Sequence, residues 1–148
     1  MVSESNVRWL VLNGGLILML GLVTGMLYGQ VVIAELGGQS SAVPGDIRGW
    51  KMAHMECLLN GCLIIAIAAA CKQMVLSPRV SFVIVWGLWV CGWTNAIASS
   101  LAAWTGGRGA FYTGLDWNSL VHVLFFLGVL GVIAAVVALV IGAYRYRP

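Results

Sequence analysis

Residues 118–143 read NSLVHVLFFLGVLGVIAAVVALVIGA, a stretch without a single Asp, Glu, Lys or Arg. A helix needs about 20 apolar residues to cross the hydrocarbon core of a bilayer. This stretch is long enough for that crossing, and its one ionisable side chain, His122, lies near its start. The stretch therefore predicts a transmembrane helix.

Three further stretches share this length and apolar character. Together with 118–143, they predict four membrane spans, at 9–35, 51–76, 80–104 and 118–143. Of the 148 residues, 61% are hydrophobic and 9% are charged, and the mean hydropathy is +0.96. A soluble domain is about 25% charged and about 45–50% apolar. The composition excludes an ordinary soluble globule and predicts an all-α fold, an integral membrane four-helix bundle that forms one domain over 1–148. We expect so small a bundle to self-associate.

The basic residues predict the orientation in the membrane. Four spans put both chain termini on the same side as the short turn Ser77-Pro78-Arg79. That side holds five basic residues: Arg8, Lys72, Arg79, Arg145 and Arg147. The opposite side holds three: Arg48, Lys51 and Arg108. By the positive-inside rule, the termini are expected in the cytoplasm. The basic residues form no run, so their distribution does not indicate nucleic-acid binding.

Small residues predict where helices pack. Gly21, Gly25 and Gly29 recur every four residues in the first span, and Gly128, Gly131 and Ala135 recur in the fourth. Such spacing lets helix backbones approach closely in lipid. The cysteines match neither a zinc motif nor a redox pair, and we interpret them as small apolar fillers: Cys57, Cys71, Cys91 and Cys62.

Polar side chains inside the spans are the candidate functional residues, because they are costly in lipid. In the second span Glu56 and Asn60 lie one helical turn apart on one face, whereas His54 points about 120° away and lies about 9 Å from Asn60 along the axis. The third span carries a similar pair, Asn95 and Ser99. If the two helices are neighbours, both pairs can face one pocket.

His122 supports a competing interpretation. It lies about one turn into the fourth span, which starts from the same side as the second, so we expect His54 and His122 at nearly equal depth. Two histidines on different helices can hold one haem iron from both faces or share another metal. In the alternative, each ring only hydrogen-bonds a neighbouring helix.

Two blocks of residues carry a resemblance to a known family. The first block is Pro44-Gly45, Gly49-Trp50, Ala53-His54 and Asn60-Gly61, and the second is Gly92-Trp93, Asn95 and Arg108-Gly109. Over roughly residues 44–114 this pattern resembles the styrene oxide isomerases, small four-helix bacterial membrane proteins. Beyond that segment the likeness extends only to hydropathy.

The resemblance implies a function. It implies a homotrimer in the bacterial inner membrane that binds haem b between subunits, with His54 as the axial ligand to ferric iron. It also implies that an apolar aryl epoxide such as styrene oxide is rearranged to an aldehyde, and that Asn60 lines the substrate pocket and can hydrogen-bond the oxygen. The remaining motif residues are then expected beside the cofactor or the substrate: Trp50, Trp93, Arg108 and Asn95.

The chain departs from the family pattern at two positions. The family has a tyrosine in its active pocket six residues after Trp93, where this chain has Ser99, and a serine can neither fill the same space nor orient an epoxide as a phenol does. His122 is not a family feature. Two other functions therefore stay open, a non-catalytic haem protein that carries electrons or senses a ligand through His54 and His122, and a structural or transport subunit without a cofactor.

Overall fold

The computed structural model describes residues 3–145, and in this part of the chain the regular structure consists of four α-helices. They are α1 (Glu4–Leu36), α2 (Ile47–Lys72), α3 (Pro78–Thr105) and α4 (Trp117–Arg145). All four are long and apolar enough to cross a membrane. The predicted all-α, four-helix transmembrane architecture is therefore confirmed.

Capping side chains explain where the helices begin. Ser3 accepts a hydrogen bond from the Asn6 backbone N–H at 3.2 Å, and Asp46 accepts one from Gly49 N–H at 2.6 Å. Such contacts satisfy N–H groups that the first helical turn leaves without a partner. The sequence therefore encodes these helix starts locally.

The predicted turn between the second and third spans was misplaced. The helix α2 ends at Lys72, four residues before the predicted end of its span, and the connection runs over 73–77. Ser77 caps α3, so Pro78 and Arg79 belong to its first turn. Proline suits that position because it has no N–H to donate and its φ is already helical.

The helices form an open row, not a closed bundle. Within residues 3–145, α1 packs on α2, α2 on α3 and α3 on α4, and α1 also touches α3. In the same region, no Cα atom of α4 comes within 8 Å of a Cα atom of α1 or α2. Of the four helices, only α3 is therefore in close backbone contact with α4.

Contacts at the two ends show that neighbouring helices are antiparallel. Gly142 near the end of α4 lies against Leu76 and Val80 at the α2–α3 connection, and Gly49 at the start of α2 lies against Ala103 near the end of α3. Of the five basic residues predicted on the side of the termini, Arg147 lies outside the described residues. The cytoplasmic location of this side stays a prediction.

Glycines let the helix backbones approach one another, as their spacing predicts. A Cβ atom on Gly131 would lie 2.7 Å from the Gly87 carbonyl oxygen of α3, and one on Gly21 would lie 3.1 Å from Cys57 Cβ of α2. Gly29 breaks the pattern, since a Cβ there would meet no described atom within 4 Å. Gly14 and Gly61 form a further close α1–α2 contact that the spacing argument missed.

The Gly131→Ala variant is expected to lose stability, because the added methyl group has no room against the carbonyl oxygen of Gly87. Overpacking of this kind costs about 1–3 kcal/mol. The measurement is the thermal unfolding midpoint of the purified protein in detergent. Gly15→Ala is the matched control, since its Cβ meets no described atom within 4 Å, and equal midpoints for the two variants would contradict this packing.

Asp116 is expected to make the start of α4 sensitive to acid. Its carboxylate accepts hydrogen bonds from Ser119 N–H and the Thr113 hydroxyl, both at 2.7 Å. These bonds, that from Ser119 first, hold the pKa of the carboxyl below its usual value. A carboxylate whose pKa is lower in the folded state stabilises the fold fully above the pKa of an unfolded aspartate, about pH 4. This stabilisation is lost as the pH falls through the folded-state pKa.

The difference in unfolding midpoint between the wild-type protein and Asp116→Ala should therefore be constant near neutral pH and shrink below about pH 4. A difference that persists undiminished in strong acid would mean that the carboxylate does not carry the effect.

Candidate functional site

The ring of His54 is fixed against helix α1. It lies in the second turn of α2, it is half-buried, and its Nδ1 atom is 2.7 Å from the Gly21 carbonyl oxygen. A carbonyl oxygen can only accept a hydrogen bond, so Nδ1 must carry the proton. In the neutral ring, the other nitrogen, Nε2, is then the one with a free lone pair.

Gly25 provides the space for this ring. A Cβ atom at position 25 would lie 2.6 Å from His54 Nδ1 and 2.7 Å from its Cε1 atom. The sequence predicted a general packing role for the glycines of α1, and the structure assigns this one a specific neighbour. Any larger side chain at position 25 would displace the imidazole.

The Nε2 atom of His54 is free to bind a ligand, since among residues 3–145 no group hydrogen-bonds it. A metal-binding histidine characteristically donates its second N–H to a carbonyl or carboxylate, which fixes the tautomer and the ring orientation. The arrangement of His54 fits that pattern.

His122 shows the same arrangement in a different place. Its Nδ1 atom is 2.8 Å from the carbonyl oxygen of Gly109, in the connection between α3 and α4. The Asn118 side chain holds the same connection by accepting the Gly109 N–H at 2.8 Å. In the described residues, no Cα atom of α2 comes within 8 Å of a Cα atom of α4, so the two histidines lie on helices without close backbone contact.

Four polar side chains of α2 and α3 form a connected group, which we call the amide cluster: Glu56, Asn60, Cys91 and Asn95. Asn60 Nδ2 donates to the backbone oxygen of Glu56 at 2.9 Å and to its Oε2 at 3.1 Å. Asn60 Oδ1 accepts from Cys91 Sγ at 3.3 Å and lies 3.5 Å from Asn95 Nδ2. Cys91, which we interpreted as an apolar filler, is thus a polar partner.

Ser99 lies outside the amide cluster. It is fully buried, and its hydroxyl donates to the Ala96 backbone oxygen of its own helix at 3.3 Å. A short hydroxyl often bonds back to its own helix in this way. The structure therefore brings Glu56, Asn60 and Asn95 together as the neighbouring helices predict, without Ser99.

The two motif tryptophans connect segments within the chain. Trp50 is 2% exposed, and its indole N–H donates to the Pro44 carbonyl at 2.7 Å. The indole N–H of Trp93 donates to Asn13 Oδ1 of α1 at 2.9 Å. Arg108 is exposed in the connection between α3 and α4, where it lines a small cleft with Asp46 and Arg48. The predicted contacts of Trp50, Trp93 and Arg108 with a cofactor stay a prediction.

Sequence reasoning missed three participants of the site, Gly21, Gly25 and Cys91. Gly21 and Gly25 were predicted to pack helices, and nothing in the spacing connects them with His54, because the register of α1 on α2 is a tertiary property. Cys91 lies one turn before Asn95, and that spacing could have indicated a shared face.

No curated protein matches the chain. The family model for styrene oxide isomerase matches residues 6–144, which is nearly the whole chain. The match extends the likeness of residues 44–114 to the flanking helices α1 and α4. The protein belongs to the styrene oxide isomerase family.

Proposed function

We propose that this protein is a membrane-embedded, haem b-dependent isomerase that converts an aryl epoxide resembling styrene oxide into an aldehyde. Family membership supports the isomerase activity. One observation supports the haem dependence: the hydrogen bond from Nδ1 of His54 to the Gly21 carbonyl fixes the orientation of the ring and leaves Nε2 available to a ligand.

The side chains present fit a haem better than a bare metal ion. Among the described residues, no group of three or more His, Cys, Asp or Glu side chains is placed to hold a metal. A metal bound at His54 must therefore bring most of its own ligands, as a haem iron does with a single axial histidine. Bound there, a ferric haem supplies a Lewis acid that polarises the epoxide oxygen.

The residues of the chain would orient the substrate and keep water out. In the rearrangement the benzylic carbon–oxygen bond breaks, a hydride moves from the terminal carbon to the benzylic carbon, and the terminal carbon becomes the aldehyde. No electrons are exchanged overall. Water would trap the cationic carbon as a diol, and a dry site prevents this side reaction. The apolar spans provide that dryness, and the amide cluster offers hydrogen bonds to the oxygen.

The shape of one chain supports a homotrimer with haem at the subunit boundaries. His54 faces α1, whereas Asn60 faces α3, so ligand and amide lie on different faces of α2. Because α2 and α4 are not in close backbone contact, a neighbouring subunit could pack against both. We place the trimer in a bacterial inner membrane with cytoplasmic termini, and an apolar epoxide would reach it through the lipid.

The geometry of His122 favours one second candidate, a non-catalytic haem protein with two histidine ligands. Its Nδ1 is pinned to a backbone carbonyl just as that of His54 is.

Replacing His54 by Ala is expected to abolish haem binding, because no other described side chain supplies this axial nitrogen, whereas His122→Ala should keep it. The measurement is the Soret absorbance of the protein purified with haem. Five-coordinate ferric haem supports the isomerase. A low-spin bis-histidine spectrum that both variants lose would support the second candidate.

The wild-type protein should also convert styrene oxide to phenylacetaldehyde, as detected by gas chromatography, and His54→Ala should not. A wild-type protein that binds haem but yields no aldehyde would show that Ser99, in place of the family tyrosine, has changed the substrate.

The Gly25→Ala variant is expected to weaken haem binding while leaving every ligand in place. The methyl group would displace the ring of His54, and loss of such orienting contacts typically costs roughly ten- to hundredfold in metal affinity. Haem titration measures the effect. Gly29→Ala, one turn along the same helix with no described atom near its Cβ, is the control. Equal haem affinity in the two variants would contradict the role of Gly25.

A further inference from the structure

The connection between α3 and α4, residues 106–116, folds back along α4. Gly109 is buried there, and a Cβ atom on it would lie 2.6 Å from Val121 Cγ1 and 3.1 Å from the His122 backbone nitrogen. Since a helix rises about 1.5 Å per residue, His122 lies about 7.5 Å along the axis from the start of α4 at Trp117. The connection thus returns to the depth of a membrane span before it rises again to Trp117.

Two side chains in the first turn of α4 bind the backbone of this connection. Asn118 accepts from two backbone N–H groups, at 2.8 and 3.0 Å, and donates to a backbone carbonyl at 2.8 Å. The Ser119 hydroxyl accepts from two more N–H groups, at 2.8 and 3.1 Å. The bonded groups belong to Arg108, Gly109, Phe111, Thr113 and Gly114. This part of the backbone therefore needs little water.

Apolar side chains of the same connection point outwards. Leu115 is fully exposed, and Tyr112 and Trp117 are more than half exposed. These three side chains line one open groove together with Leu120 and Val123 of α4. The apolar surface of α4 thus continues without a break onto the connection.

Charge is nearly absent from this region. Between 109 and 144, Asp116 is the only Asp, Glu, Lys or Arg. Its two carboxylate oxygens accept hydrogen bonds from the Thr113 hydroxyl and the Ser119 N–H. The α1–α2 connection on the same side of the bundle differs, since it exposes polar side chains at Gln39 and Ser40.

We infer that the connection between α3 and α4 is inserted into the membrane leaflet opposite the chain termini, with its backbone in the headgroup region and Leu115 reaching the acyl chains. The inference does not depend on the isomerase function. Tyr and Trp are enriched at this depth, as Tyr112 and Trp117 are placed here. The headgroup region also supplies water to the backbone groups that Asn118 and Ser119 do not bind, which the hydrocarbon core would not.

A lipid surface suits Leu115 better than a second copy of the chain does. Protein interfaces are closely complementary in shape, so a fully protruding leucine needs a matching recess on its partner. A fluid leaflet accepts such a side chain without one. The unbroken apolar surface from Val123 to Leu115 also continues the surface that α4 presents within its membrane span.

The test measures the depth of nitroxide labels by electron paramagnetic resonance in vesicles of phosphatidylcholine and phosphatidylglycerol. The background is Cys62→Ala, since Cys62 is exposed and the other three cysteines are buried. The labelled variants are Leu115→Cys, Val123→Cys as the control within the span, and Ser40→Cys as the control in the polar connection. Dissolved oxygen concentrates in hydrocarbon, whereas a neutral nickel chelate stays in water.

Oxygen should relax the label at 115 more strongly than the nickel chelate does, as at 123, and the order should reverse at 40. Substitution of Leu115 disturbs no packing, because its side chain is fully exposed. Tyr112→Cys is a second reporter on the same surface and should also favour oxygen. Neither haem nor turnover enters the measurement, so its outcome is separate from that of the proposed function.

Two results would overturn the inference. Relaxation by nickel as strong at 115 as at 40 would place the connection in water. A label at 115 that neither reagent reaches, with dipolar broadening that disappears on dilution with unlabelled protein, would show that a second copy of the chain covers this surface.

Discussion

Lipid offers no hydrogen-bond partner, so every polar group within a span must find one in the protein. This constraint determines how the helices of this chain are joined. His54 of α2 bonds the Gly21 carbonyl of α1, and Trp93 of α3 bonds Asn13 of α1. Few such bonds are present, and each joins two helices at one depth and one rotation. They hold the register that apolar packing alone would leave loose.

Close approach of the backbones makes these bonds possible. The His54 ring reaches Gly21 only because Gly25 has no side chain in its way, and the Asn95 amide lies against α4 only because position 128 is also a glycine. Glycine therefore has two roles in this fold. At Gly131 it lets two backbones touch. At Gly25 and Gly128 it makes room for a polar side chain of the next helix, His54 and Asn95 respectively.

The open arrangement of the helices connects the fold to the proposed chemistry. Only α3 is in close backbone contact with α4, and Asn95 of the amide cluster lies against Gly128 of α4. His54 and Asn60 lie on different faces of α2, the first towards α1 and the second towards Asn95 of α3. A site that used both would span more than one face of the chain, which is why a subunit boundary suits the cofactor.

Much of the fold could be predicted from residue patterns, because length and hydropathy alone decide whether a segment crosses a bilayer. The predicted spans overlap the four helices, and the larger differences are at the start of α1, at Glu4, and at the end of α2, at Lys72. The site was predicted less completely. The spacing of Glu56 and Asn60 predicted their shared face, whereas the hydroxyl of Ser99 bonds to Ala96 of its own helix and not to the amide cluster.

By itself, the sequence determined the class of protein, the number of spans, the helix caps and the motif residues that mark the family, because each depends on local composition or on short spacing along the chain. Only the tertiary structure decided which nitrogen of His54 is free, that Gly25 makes room for its ring, that Cys91 joins the amides, and that α4 stands apart from α2. These features depend on the rotation and depth of one helix against another, which a few interhelical contacts set and no single segment encodes.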